Sequence, residues 1–102
     1  MTGSRIGRKI FLSYAVMDIQ IGTVIRYYDK IGVAVVSVMN QTLRVGDVVK
    51  ISGRESEYSQ TVRSLQVEHT KVMSVEPNEE CGLPVDMPVN AGDVLYLLTR
   101  HE

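Results

Sequence analysis

At 102 residues, 44% hydrophobic and 23% charged, the chain can hold one cored domain and is too short for two. A formal net charge of −1 argues against the phosphate-driven affinity of a strong non-specific RNA binder. The single cysteine, Cys81, excludes an internal disulfide and points to a reducing cytoplasm, and two histidines set far from it give no zinc-ligand spacing.

The near-neutral total covers an asymmetry. Residues 1–54 carry eight Lys/Arg against three Asp/Glu, and residues 55–102 carry three against nine. Interleaved strands would mix these charges over a solvated surface; a basic face is the alternative. No apolar run approaches the ~18 residues of a membrane span. Arg5, Arg8 and Lys9 before Ile10-Phe11-Leu12 imitate a signal peptide, but Ser13 and Tyr14 break the run and no cleavage site follows. Residues 1–18 read as an N-terminal extension, disordered or laid along the domain as an extra strand, with Met17 a candidate later start. The domain itself is expected over residues 19–102.

From Ile19 to Tyr27 the chain alternates, with Ile19, Ile21, Thr23, Ile25 and Tyr27 on one face. Tyr28-Asp29-Lys30 connects this strand to a nearly continuous apolar one, Ile31 to Met39, as a hairpin. Val45-Gly46-Asp47-Val48-Val49 and Ala91-Gly92-Asp93-Val94-Leu95 repeat one pattern: glycine for positive φ, aspartate to bond the turn backbone, then a β-branched or apolar strand. Two such units suggest quasi-equivalent corners of a closed β structure. The polar stretch Gly53 to Ser59 reads as a loop, and Thr61 to Lys71 as a strand bent near Arg63, where Val62 falls out of phase. Asn78 suits a left-handed turn residue in Asn78-Glu79-Glu80. Cys81 to Met87 is a strand whose Pro84 places it at an edge or bulge. Six short strands and no helix after Asp18 predict an all-β fold, a small six-stranded Greek-key barrel.

Three stretches then take on a family look: Val62-Arg63-Ser64-Leu65-Gln66-Val67-Glu68-His69, Val75-Glu76-Pro77-Asn78-Glu79-Glu80-Cys81-Gly82-Leu83-Pro84-Val85, and Ala91-Gly92-Asp93-Val94-Leu95. With Ile21-Gly22-Thr23-Val24 and Leu43-Arg44-Val45-Gly46-Asp47, they resemble the β-barrel second domain of translational GTPases over roughly residues 21–98. The resemblance implies an elongation-factor-like barrel, stand-alone or appended, some of which are attached to peptidase-like or RNA-modifying enzymes. No Gly-x4-Gly-Lys-Ser/Thr phosphate loop and no Asn-Lys-x-Asp is present, so no GTP hydrolysis by that mechanism is expected.

Candidate chemistry is sparse. Cys81 lacks an adjacent base and reads as a small core thiol. His69 reads as a strand-end residue, and Glu76, Glu79 and Glu80 as a solvated turn without the spaced ligands of a calcium loop. Tyr27-Tyr28 with Arg26 and Lys30 could stack bases and neutralise phosphate, or pack as an ordinary hairpin; by parity Tyr28 faces outward. The resemblance adds Arg63 and Lys71, on the strand similar to the family's tRNA-contacting region. The expectation is a non-enzymatic cytoplasmic module without metal or cofactor, binding RNA or a ribonucleoprotein through Arg26, Tyr28, Lys30, Arg63 and Lys71. The alternative is a protein–protein module that docks onto an enzyme or self-associates through an edge such as the Pro84 strand.

Overall fold

In the computed structural model residues 19–99 are described, so the expectations for residues 1–18 lie outside the described residues. The two Gly-Asp corners organise the rest. Gly46 takes φ 101° and Gly92 φ 98°, and nothing stands within 4 Å of a Cβ at either. Backbone conformation alone therefore calls for glycine there. Asp47 Oδ2 accepts the Arg44 amide and Asp93 Oδ2 accepts the Asn90 amide, both at 2.9 Å.

Each corner also grips a buried valine. Gly46 N–H donates to the Val62 carbonyl and Val62 N–H to the Asp47 carbonyl, both at 2.8 Å. Gly92 and Asp93 hold Val24 through the same two bonds at the same length.

Ten strands result among the described residues: β1 (Ile19–Tyr28), β2 (Val33–Val38), β3 (Leu43–Arg44), β4 (Val48–Ser52), β5 (Glu57–Thr61), β6 (Leu65–Val67), β7 (Thr70–Val72), β8 (Ser74–Val75), β9 (Glu80–Pro84) and β10 (Val94–Thr99). Eight form one antiparallel sheet in the order β5-β4-β10-β1-β2-β9-β6-β7, and β3 pairs with β8. The register Val48↔Thr61, Val49↔Gln60 of β4–β5 recurs as Val94↔Thr23, Leu95↔Gly22 in β10–β1. Lys50 lies opposite Tyr96 in β4–β10. The four strands β5-β4-β10-β1 thus repeat themselves about a local two-fold between Lys50 and Tyr96, with one corner in each half.

The all-β expectation holds among the described residues; the six-stranded, closed ladder does not. β5 and β7 are the two ends of the hydrogen-bonded order. The side chain of Gln60 spans the gap beyond β5. Its Nε2 donates to the Pro84 carbonyl at 3.0 Å, and its Oε1 accepts the Asp86 amide at 2.9 Å. The Tyr58 hydroxyl faces Gln60 Oε1 at 3.1 Å and the Met87 carbonyl at 3.3 Å. Burial pushes the Tyr58 pKa up against the lowering effect of the Met87 bond.

Inside lies an apolar core in which Val36, Val49, Leu65, Leu83 and Leu97 are fully buried. Each such side chain contributes about 1.5–3 kcal/mol relative to exposure.

Several strand expectations change. β1 has two register shifts, at Gln20/Gly22 and Val24/Arg26. Each bulge adds a residue and flips the phase, so Gly22 and Val24 are buried while Ile25 is exposed. Tyr27 returns to pack on the core. The polar loop shrinks to residues 53–56, because β5 pairs residue by residue with β4 despite its polar sequence. The expected strand Thr61 to Lys71 is instead the end of β5, an irregular link through Val62, and the β6–β7 hairpin. Asn78 is left-handed as expected, at φ 76°.

Pro84 ends β9, which lies inside the order and not at an edge. Val85 N–H donates to the Gly32 carbonyl on the β2 side, so Pro84, one residue away, faces the other side. There β6 meets β9 only at Gly82, and the missing N–H costs no ladder bond.

Candidate functional site

Three segments distant in sequence meet on the outer face of the sheet. Alternate residues of a strand face opposite sides. β2 buries Ala34, Val36 and Val38 and turns Val33 and Val35 outward; β9 buries Cys81 and Leu83 and turns Glu80 and Gly82 outward. The β1–β2 loop adds Tyr28 and Ile31, 45% and 70% exposed. From the β6–β7 hairpin come Gln66, Val67, Glu68 and His69. Together with Glu79 these residues line a groove of about 610 Å³.

Its floor is apolar: Val33, Val35, Val67 and the bare backbone of Gly82. A Cβ on Gly82 would stand 3.4 Å from Val33 Cγ1 and 3.9 Å from the Gln66 carbonyl oxygen. Those are tolerable contacts, so glycine here keeps the floor open without being sterically obligatory. Its rim is acidic, with Glu68, Glu79 and Glu80 present and no lysine or arginine among the lining residues. Glu68 and His69 take φ 51° and 70° between the paired residues Val67 and Thr70. That is the two-residue hairpin turn that favours Asn-Gly. His69 is therefore a turn residue, not the end of a strand.

The five residues expected to contact RNA are spread over several elements. Arg26 Nη1 donates to the Tyr28 hydroxyl oxygen at 3.2 Å, both residues being exposed on β1. Lys30 is exposed in the β1–β2 loop, and Lys71 is exposed on β7. Arg63, in the β5–β6 link, is tied to Asp86 at 2.7 Å. The structure thus joins Arg26 to Tyr28 and gives Arg63 an acidic partner within the chain.

Cys81 is 3% exposed. Burial, and then the charge of Glu79, push its thiol up to about 12, so it stays protonated and un-nucleophilic at ordinary pH. In the acidic turn, Glu79 Oε1 accepts the Glu76 amide at 3.0 Å and Glu76 Oε1 accepts the Thr42 hydroxyl at 2.9 Å. Among the described residues no group of three or more His, Cys, Asp or Glu is arranged to hold a metal ion. No helix among them is long and apolar enough to cross a membrane.

Sequence reasoning missed the groove and Gln60. The one signal for the groove was the nearly continuous apolar run Ile31 to Met39, which puts valines on both faces of its strand. Gln60 carried no signal, since a single polar residue in a polar stretch does not announce that it is buried.

No protein-family model matches the chain. Over 81 residues it is 32% identical to an uncharacterized protease of Methanocaldococcus jannaschii, an alignment covering 78% of this chain. The chain spans 20% of that protein's length. Two crystal structures of the C-terminal domain of a candidate U32 peptidase from Geobacillus thermoleovorans, one a selenomethionine variant, have TM-scores of 0.71 and 0.70. Both are 21% identical to this chain and cover 76% of it, over 96% and 89% of their own length.

These neighbours overturn the translational-GTPase expectation, and with it the elongation-factor-like, RNA-binding reading. The resemblance rested on Gly46-Asp47, Gly92-Asp93 and core valines. Such residues dictate how a strand turns and packs; they carry no information about what the domain is attached to.

Proposed function

We propose that the chain is a non-enzymatic accessory domain of a peptidase-type enzyme, acting by protein–protein docking. The observation that carries this is the fold match to 96% of a U32 peptidase C-terminal domain at a TM-score of 0.71. The 32% identity to a stretch of an uncharacterized protease supports it independently. A non-catalytic role is supported by a buried Cys81, protonated at ordinary pH, and by a His69 displayed on an exposed turn. The free thiol of Cys81 also favours a reducing cytoplasm as its location. The finer architecture we propose is a cylinder of Greek-key type, in which Gln60 and the β3–β8 pair cover the side where the eight-stranded ladder is open.

The test is a graft. The Methanocaldococcus jannaschii relative with its matching stretch deleted should be aggregated or unstable. Inserting this chain in its place should restore a monodisperse protein with one cooperative unfolding transition. A graft as aggregated as the deletion contradicts the accessory reading. Peptide hydrolysis by this chain alone contradicts the non-catalytic one.

A further inference from the structure

We infer that the groove between β2, β9 and the β6–β7 hairpin binds an extended polypeptide segment in which apolar side chains alternate with lysine or arginine. This goes beyond the accessory role and stands without it, because binding is read on this chain alone.

The floor of the groove offers apolar surface. Val33 and Val35 are half-buried outward residues, Val67 borders them while packing against the core, and Ile31 and Tyr28 present large exposed apolar surface beside them. Contiguous apolar surface of this kind, rimmed by polar groups, marks an interaction site. The open backbone at Gly82 lets a second chain come close, as glycine does where backbones approach each other.

Charge selects the occupant. Glu68, Glu79 and Glu80 stand on the rim, while Arg26 and Lys30 of the neighbouring hairpin are outside the lining. Three carboxylates in the lining, against the Arg26 guanidinium held at its edge on the Tyr28 hydroxyl, favour cationic side chains over phosphate and acidic peptides. An extended peptide has the side-chain period of a strand, so alternate residues face opposite ways. Apolar side chains can then settle on Val33, Val35 and Gly82 while the intervening cations reach the glutamates.

The test uses the whole chain and a capped Lys-Val-Lys-Leu-Lys-Val-Lys-Leu peptide, followed by amide chemical shifts, with a second peptide carrying glutamate for lysine. The lysine peptide should shift Val33, Val35, Gly82 and His69, bind more weakly at high salt, and outcompete the glutamate peptide. Glu68→Lys with Glu80→Lys should weaken it roughly ten-fold. Gly82→Leu, which fills the floor, should abolish it. The unfolding transition of each variant checks that it folds; if Gly82→Leu does not, the exposed Glu68 and Glu80 pair decides. Equal binding of both peptides, shifts centred elsewhere, or a folded Gly82→Leu that binds like the parent overturns the proposal. So does a parent chain that self-associates through this groove, since the occupant is then a second copy.

Discussion

Replacing Gln60 by leucine tests how the open side of the sheet is held. Gln60 is 5% exposed, and its amide satisfies the Pro84 carbonyl at 3.0 Å and the Asp86 amide at 2.9 Å. Leucine keeps most of the volume and removes both bonds. Each buried or half-buried backbone group left without a partner costs about 1–3 kcal/mol, while the added apolar burial returns about 1 kcal/mol. The net expectation is a loss of about 1–5 kcal/mol, a large share of the roughly 5–15 kcal/mol that holds such a domain together. Urea unfolding should show a lower midpoint with an unchanged slope. Hydrogen exchange at the Asp86 amide should accelerate in step. A change under about 0.5 kcal/mol with Asp86 still protected would refute the claim that Gln60 bridges the gap.

The two corners predict matched penalties. Gly46→Ala and Gly92→Ala, where a Cβ meets nothing within 4 Å, should each cost about 1–2 kcal/mol of purely conformational strain, and thermal melts giving clearly unequal shifts would break the local two-fold. Gly53→Ala drives a Cβ into the Asp93 carboxylate, which the Asn90 amide holds in place, so a loss of about 1–3 kcal/mol is expected in urea. In the β6–β7 turn, Glu68→Asn with His69→Gly should raise stability by about 1 kcal/mol, since both positions have positive φ. At high pH, Cys81 contributes a further test. Its thiol is raised from 9.0 to about 12, so the protonated folded form has its full stability below pH 9 and loses it as pH climbs toward 12. The loss amounts to up to about 4 kcal/mol, and Cys81→Val should flatten that limb of a pH-stability curve.

What the sequence revealed was what single residues decide locally. Gly46, Gly92 and Asn78 are residue types that take positive φ at low cost and sit in turns that need it, and Asp47 and Asp93 bond a backbone three residues away, so all five were legible. The phase of β1 was not. Its bulges at Ile21 and Ile25 are imposed by the strands on either side, and a lone alternating pattern cannot show them. The Glu68-His69 turn was invisible because neither residue is a turn-former; tertiary pairing of Val67 with Thr70 forces them into it. The first three residues of β5, Glu57 to Ser59, read as loop because they are polar, although β4 supplies every partner the strand needs. The groove draws on residues 28–35, 66–69 and 79–82, and no local pattern brings such stretches together. Gln60 spans a gap that exists only once the sheet has formed.

The most direct measurement for the accessory reading is capture of partners from native lysate on the tagged full chain, with half of the sample treated with ribonuclease. A peptidase-type catalytic chain recovered in near-stoichiometric amount from both halves is the predicted result. Partners that vanish with ribonuclease, or none above background, would contradict the account.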